Sequence, residues 1–113
     1  MRVLLVGMLA LSLAATVVGC GRIETTHVVT GRPMAPTSDV QVYMQGQQPP
    51  PGYVEIAIVQ TNATGTKAKM PNVVSGIRAR ARQLGCSAVI NLRIDQGAGN
   101  TAGNGVCVTY PTM

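Results

Sequence analysis

The sequence predicts a small α+β domain over residues 39–113, of order β-β-α-β-β: a four-stranded sheet with one helix on one face. Three observations carry that prediction. Apolar residues alternate with period two in the windows 39–45, 53–60 and 87–94. One window alone, 71–84, repeats at helical spacing and ends at Gly85. Residues 21–38 hold Pro33, Pro36, two glycines and five Ser/Thr with no sustained period, so ordered structure is expected to begin only after them.

In "DVQVYMQ", Val40, Val42 and Met44 fall on one face and Gln41 and Tyr43 on the other, as in a half-buried strand. "GQQPPPG" cannot continue that strand and reads as a stiff turn; a polyproline ligand is the alternative. "YVEIAIVQ" alternates again, with Val54, Ile56 and Ile58 opposite Glu55, Ala57 and Val59, so the two strands are expected to pair as an antiparallel hairpin. "TNATGTKAK" reads as loop. The helix follows from Pro71 or Asn72 to Leu84, with Pro71 in the first turn, Asn72 as an alternative cap and Gly85 at the left-handed exit. Its apolar stripe is Val74, Ile77, Ala81 and Leu84. "SAVINLRI" places Ala88, Ile90, Leu92 and Ile94 on one face of a third strand, "QGAG" turns, and Asn100–Tyr110 forms the fourth.

Composition narrows the function. The chain has no Phe, no Trp and three Tyr, so its core is built from Val, Ile, Leu, Met and Ala and is marginal on burial alone. The single histidine, His27, lies in the irregular segment, and no two acidic residues after it are close in sequence. Nothing there sets a base beside a nucleophile, so the chain is expected not to be an enzyme and to take no cofactor or small-molecule substrate. "GAGNTAGNG" leads into a strand, not the helix a phosphate loop needs. His27, Cys86 and Cys107 match no closed zinc spacing. A Cys86–Cys107 disulfide fits better: if Asp95 faces Asn100 across the turn, Ala88 faces Cys107 and Cys86 lies diagonally beside it.

The same register sets out a second face. With Ile90, Leu92 and Ile94 against the helix, Val89, Asn91 and Arg93 turn away, joined by Val106, Val108 and Tyr110. Val89, Arg93, Val106, Val108 and Tyr110 are therefore the candidate partner surface, for another protein or a second copy, with Val108 and Tyr110 central. The alternative surface is Arg78, Arg80 and Arg82, which flank the helix stripe and suit an anionic lipid or polysaccharide.

The N-terminus has the build of an export signal, and this is where a disulfide finds an oxidising compartment. Met1-Arg2 is a minimal charged region and residues 3–18 are apolar or uncharged, sixteen residues against the ~20 that span a bilayer. The run ends in Val17-Val18-Gly19-Cys20, which resembles the lipobox of bacterial lipoprotein precursors position by position. That resemblance implies a signal peptide over residues 1–19, cleavage before Cys20, and lipidation (palmitate among the chains) of Cys20, with a lipidated tether over 20–38. The mature chain would have eight basic and four acidic side chains, a formal charge of +4. Gly21, where enteric lipoproteins kept in the inner membrane carry Asp, implies the outer membrane, facing the periplasm, where nucleic acid is no partner. The body in turn resembles the Rcs stress-sensor lipoproteins and the YbjQ-type domains: their Gly-Ala-Asp/Asn-Ala-Val-Ile helix-to-strand pattern is met by Gly85, Ser87, Ala88, Val89 and Ile90, with Cys86 in place of alanine. "GVCVTY" is similar to their last strand. The family's metal label does not carry over, because no ligand cluster accompanies the match. Together the two resemblances imply a membrane-anchored envelope interaction or sensor module; the alternative is a structural lipoprotein holding an anionic envelope component through the helix arginines.

Overall fold

Glycine and small residues, rather than large ones, let this fold close. The computed structural model describes residues 21–111. In chain order it contains β1 (Ile23–Val29), β2 (Gln41–Met44), β3 (Val54–Thr64), a 3-10 turn (Gly65–Lys67), α1 (Met70–Leu84), β4 (Ala88–Gly97) and β5 (Asn100–Thr109). The strands form one mixed sheet of order β1-β3-β5-β4-β2, antiparallel throughout except for the parallel pair β2 and β4. Among the described residues the α+β class and the single helix on one face stand; their sheet has five strands, not four.

Helix α1 begins at Met70 with Pro71 in its first turn, and ends on Gly85 at φ 81°. The Gly85 and Cys86 amides bond the Arg82 and Ala81 carbonyls at 3.2 and 3.0 Å, closing the last turn as a left-handed glycine exit does. The buried stripe is Val73, Ile77, Ala81 and Leu84; Val73, not Val74, is its first member, and Val74 packs at the margin. The stripe lies on glycines and hydroxyls. A Cβ on Gly76 would stand 2.9 Å from both Thr25 Oγ1 and Thr61 Cγ2, and one on Gly103 would stand 2.6 Å from Val73 Cγ1. Close approach thus supplies the packing that aromatic side chains would otherwise give. The buried hydroxyls are bonded: Thr25 and Thr61 to each other at 2.9 Å, Thr101 to the Ala68 carbonyl at 3.0 Å.

The segment read as a tether is folded. Ile23–Val29 pairs along β3 as an edge strand. The chain from Thr30 to Asp39 then straps the C-terminal end of α1: the Met34 and Thr37 amides bond the Leu84 and Arg82 carbonyls at 3.0 and 2.9 Å, and Thr37 Oγ1 donates to the Cys86 carbonyl at 2.8 Å. These bonds satisfy carbonyls that a helix end leaves open, which is why an irregular, proline-containing stretch is nevertheless ordered.

Strands β2 and β3 do not form a hairpin. Both run parallel to β4, so the 45–53 connection must cross the sheet instead of turning back. It crosses on the face away from α1, where Tyr110 donates to the Pro50 carbonyl at 2.7 Å and meets Tyr53 edge-on at 6.3 Å between ring centroids. The loop reading of 61–64 also gives way, since β3 continues through Thr61 and Ala63, both fully buried.

The β4–β5 register differs from the expected one. Gly97 pairs with Asn100 around a two-residue turn with Gly99 at φ 72°, so Asp95 faces Ala102. A bulge between Ile90 and Arg93, with Asn91 at φ 54°, then shifts the register so that Val89 faces Cys107. The extra residue reverses the side-chain alternation. Val89, Leu92 and Ile94 lie with the helix cluster, whereas Ala88 and Ile90 lie on the opposite face with Val108.

Candidate functional site

Cys86 and Cys107 are joined by a disulfide with Cα atoms 5.7 Å apart, and both are fully buried. The bond ties the exit of α1 to β5 beneath the helix. It is a structural staple: buried sulfurs on this face are not presented to a reductant or a metal. No group of three or more His, Cys, Asp and Glu gathers among the described residues, and no pocket is found among them.

The face away from α1 is organised in rows across the strands, because directly paired residues point the same way. Val28, Ile58, Val106 and Ile90 stand in consecutive register across β1, β3, β5 and β4. Beside them lie Val108, Glu55 and Ala88. In the other direction the next row is Thr26, Gln60, Asn104 and Arg93, and the one after it Glu24, Asn62, Ala102 and Asp95. The open face is therefore polar toward the start of β1 and apolar toward its end.

Burial along the apolar row is graded. Ile90 is 7% exposed beneath Tyr43, Val106 is half-buried, Ile58 is 46% exposed and Val28, on the edge strand, 66%. A β-branched pair standing uncovered beside a free strand edge is the part of the surface that the fold itself does not use. β1 carries one acidic residue, Glu24, and no Lys or Pro of the kind that blunts an edge.

Of the residues singled out by sequence, Val106, Tyr110 and Arg93 are on this face, though Arg93 belongs to the polar row. Val89 is not: the Asn91 bulge turns it into the helix core, fully buried. Val108 is on the face but also fully buried, in a cluster with Ala88 and Ile90 against which Tyr43 and Val106 pack. Tyr110 is half-buried; desolvation first, then the neighbouring Tyr43 and Tyr53, raise its pKa above the ordinary phenol value. Its hydroxyl stays protonated and serves as a donor to Pro50. Val28 and Ile58 were missed. The signal for Ile58 was present, as an apolar residue opposite Val59, but Val28 could be found only by recognising "IETTHVV" as a strand.

The helix arginines do not make one patch. Arg80 reaches back to β1, donating to His27 Nδ1 at 2.7 Å and to the Thr25 carbonyl at 2.9 Å. Arg78 and Arg82 are one turn apart on the other flank, roughly 160–200° round the helix from Arg80. Arg78 Nε is buried without a hydrogen-bond partner, so the stem of that side chain packs while its end reaches outward. Cys20 and the 1–19 segment lie outside the described residues. Among the described residues no helix is long and apolar enough to cross a membrane. No family profile, curated protein or solved structure matches this chain.

Proposed function

We propose that this chain is a lipid-anchored, periplasm-facing envelope protein whose folded body is a protein-interaction module. The anchor is lipidated Cys20, supported by the charge, apolar run and Val17-Val18-Gly19-Cys20 ending of the N-terminus. Two or three acyl chains hold such a protein on a membrane stably, where one would not. Cys20→Ala is expected to accumulate as an unprocessed, unacylated precursor; a matured wild-type protein free of fatty acid overturns the anchor.

The observation that carries the interaction reading is the exposed end of the apolar row, Val28 and Ile58, running out to the free edge of β1. A partner strand laid along β1 would satisfy its outward amides and carbonyls beyond Thr25, whose carbonyl Arg80 already holds, and cover Val28 in one step, the strand-addition mode of recognition. A photo-reactive residue at position 28 or 58 is expected to crosslink one protein in intact cells, and the same residue at position 104 to give little. Equal labelling from all three positions overturns the assignment. Whether the crosslinked species has twice the protein's own mass decides between a second copy and a different envelope protein.

A further inference from the structure

The first described residue is already part of the fold. Gly21 has φ 112°, and a Cβ there would stand 2.5 Å from the Thr64 carbonyl oxygen and 3.0 Å from the Thr66 amide nitrogen. Next to it the Arg22 amide donates to Thr64 Oγ1 at 3.3 Å, and the Thr64 amide donates to the Arg22 carbonyl at 2.8 Å. Neighbouring bonds brace that corner: Gly65 amide to Gly99 carbonyl at 3.0 Å, and Asn72 Nδ2 to Lys67 carbonyl at 2.9 Å. The chain thus enters β1 from a fixed point at one end of the sheet. Covalent geometry puts the Cα of residue 20 about 3.8 Å from that of Gly21.

Resting on the proposed lipidation of Cys20, we infer that the anchored protein has no spacer and stands with this end against the bilayer, with Arg22, Lys67, Lys69 and the Ala98–Gly99 turn at the lipid headgroups. Two arguments are independent of each other. The first is steric: a lipid on Cys20 is one residue from a packed glycine, so the corner made by Thr64–Lys69 and the β4–β5 turn has nowhere else to be. The second is charge. Lys67 and Lys69 are exposed and no acidic residue stands in the first turn of α1 beside them, while Arg22 keeps Glu24 occupied at 3.3 Å. Cations at the interface suit an anionic phospholipid surface. Gly21 then has a structural reason to be glycine apart from any sorting signal, since Asp or Ser there would collide with Thr64. The partner surface follows from the pose: Val28 sits seven residues along the strand from Gly21, roughly 20 Å from the anchored end. Its height is set by the sheet, not by a linker.

The chain contains no tryptophan, so a single introduced one reports its own depth. Ala98→Trp and Gln83→Trp mark the two ends; both positions are exposed. Each full-length protein, purified from membranes with its lipid, is placed in vesicles of phosphatidylglycerol and bromine-labelled phosphatidylcholine, and co-flotation is scored with fluorescence quenching. The expected result is flotation of both, with strong quenching for Ala98→Trp only. Inserting about ten Gly/Ser residues between Cys20 and Gly21, a reach of roughly 15–20 Å, is expected to abolish the quenching and leave flotation intact. Failure to float overturns the lipid anchor and the pose with it. Flotation with no quenching at Ala98→Trp, with equal quenching at both ends, or with quenching that survives the insertion overturns the pose alone.

Discussion

Two valines on the same face of the same sheet meet opposite fates: Val108 is fully buried and Val28 is 66% exposed. Nothing in the residue type or the strand alternation separates them. What separates them is the 45–53 connection, which leaves β2 at one edge and must cross the sheet to begin β3. Tyr43 packs on Ala88, Ile90 and Val108, the crossing chain is held beside them by the Tyr110–Pro50 bond, and Val28 on β1 stays exposed. The difference teaches that the open face is two surfaces. One half is a second small core; the other, at the β1 edge, is left for something outside the chain.

The sharpest way to break that comparison is to place one carboxylate at each valine. Val108→Asp would bury a charge in register with Glu55, so desolvation and like-charge repulsion act together. The expected loss is about 4 kcal/mol or more, enough to remove the cooperative urea transition of a domain this small. An unchanged midpoint would mean that Val108 is not buried.

The next largest effect belongs to the face under the helix. Replacing Cys86 and Cys107 together by alanine opens a loop of sequence separation 21, and the expected destabilisation is about 3 kcal/mol. The readout is the urea midpoint of the double variant against the oxidised wild type; coincident curves would show that the close-packed helix face needs no staple. Gly76→Ala comes third and has the opposite sign from helix propensity, which favours alanine by about 1 kcal/mol. Its Cβ would press on Thr25 and Thr61, and overpacking of that kind costs about 1–3 kcal/mol. The net expectation is a midpoint lowered by about 1 kcal/mol in free energy; a raised midpoint would show that the helix has room to lift away.

These cases also mark how far the sequence could be read. Helix α1 was legible because Pro71 and Gly85 bracket an apolar stripe, and the disulfide because two cysteines flank a strand that must return past them. The faces of β4 were not. Alternation is a parity argument, and one inserted residue, Asn91 at φ 54°, reverses parity for all that precedes it. Strand β1 was hidden for a different reason. "IETTHVV" has its inward residues polar or exposed, Thr25 and His27 among them, because it packs on hydroxyls and on Arg80 rather than on a hydrophobic stripe. The β2–β3 crossing was invisible since a proline-rich link reads as a turn whether it returns or traverses. The partner surface inherited all three errors: Val89 moved to the core with the bulge, Val108 went into the cluster beside the crossing chain, and Val28 arrived with a strand that had not been expected.

The smallest expected effect on stability is the most informative about function. Val28→Asp, the companion of Val108→Asp, adds a charge to a side chain already in water, and its midpoint should stay within about 0.5 kcal/mol of the wild type. Ile58→Asp, directly paired with Val28 and 46% exposed, should behave alike. Neither touches the helix, the disulfide or the Gly21 corner, so export, oxidation and membrane anchoring should be unchanged. What should disappear is the crosslinked partner, because a carboxylate in the middle of the uncovered row would be desolvated on binding with no cation facing it from β1 or β3. Arg80 reaches β1 from the other face and is already spent on His27 and the Thr25 carbonyl, and Arg22, just before the strand, pairs with Glu24 at its far end. If both variants fold, anchor and still crosslink as the wild type does, the exposed pair is an ordinary half-wet sheet surface and the partner binds elsewhere. If Val28→Asp alone fails to crosslink, the contact is with the free edge of β1 more than with the face, and a backbone-directed change there, Val29→Pro, which removes an amide turned away from β3, should then abolish it as well.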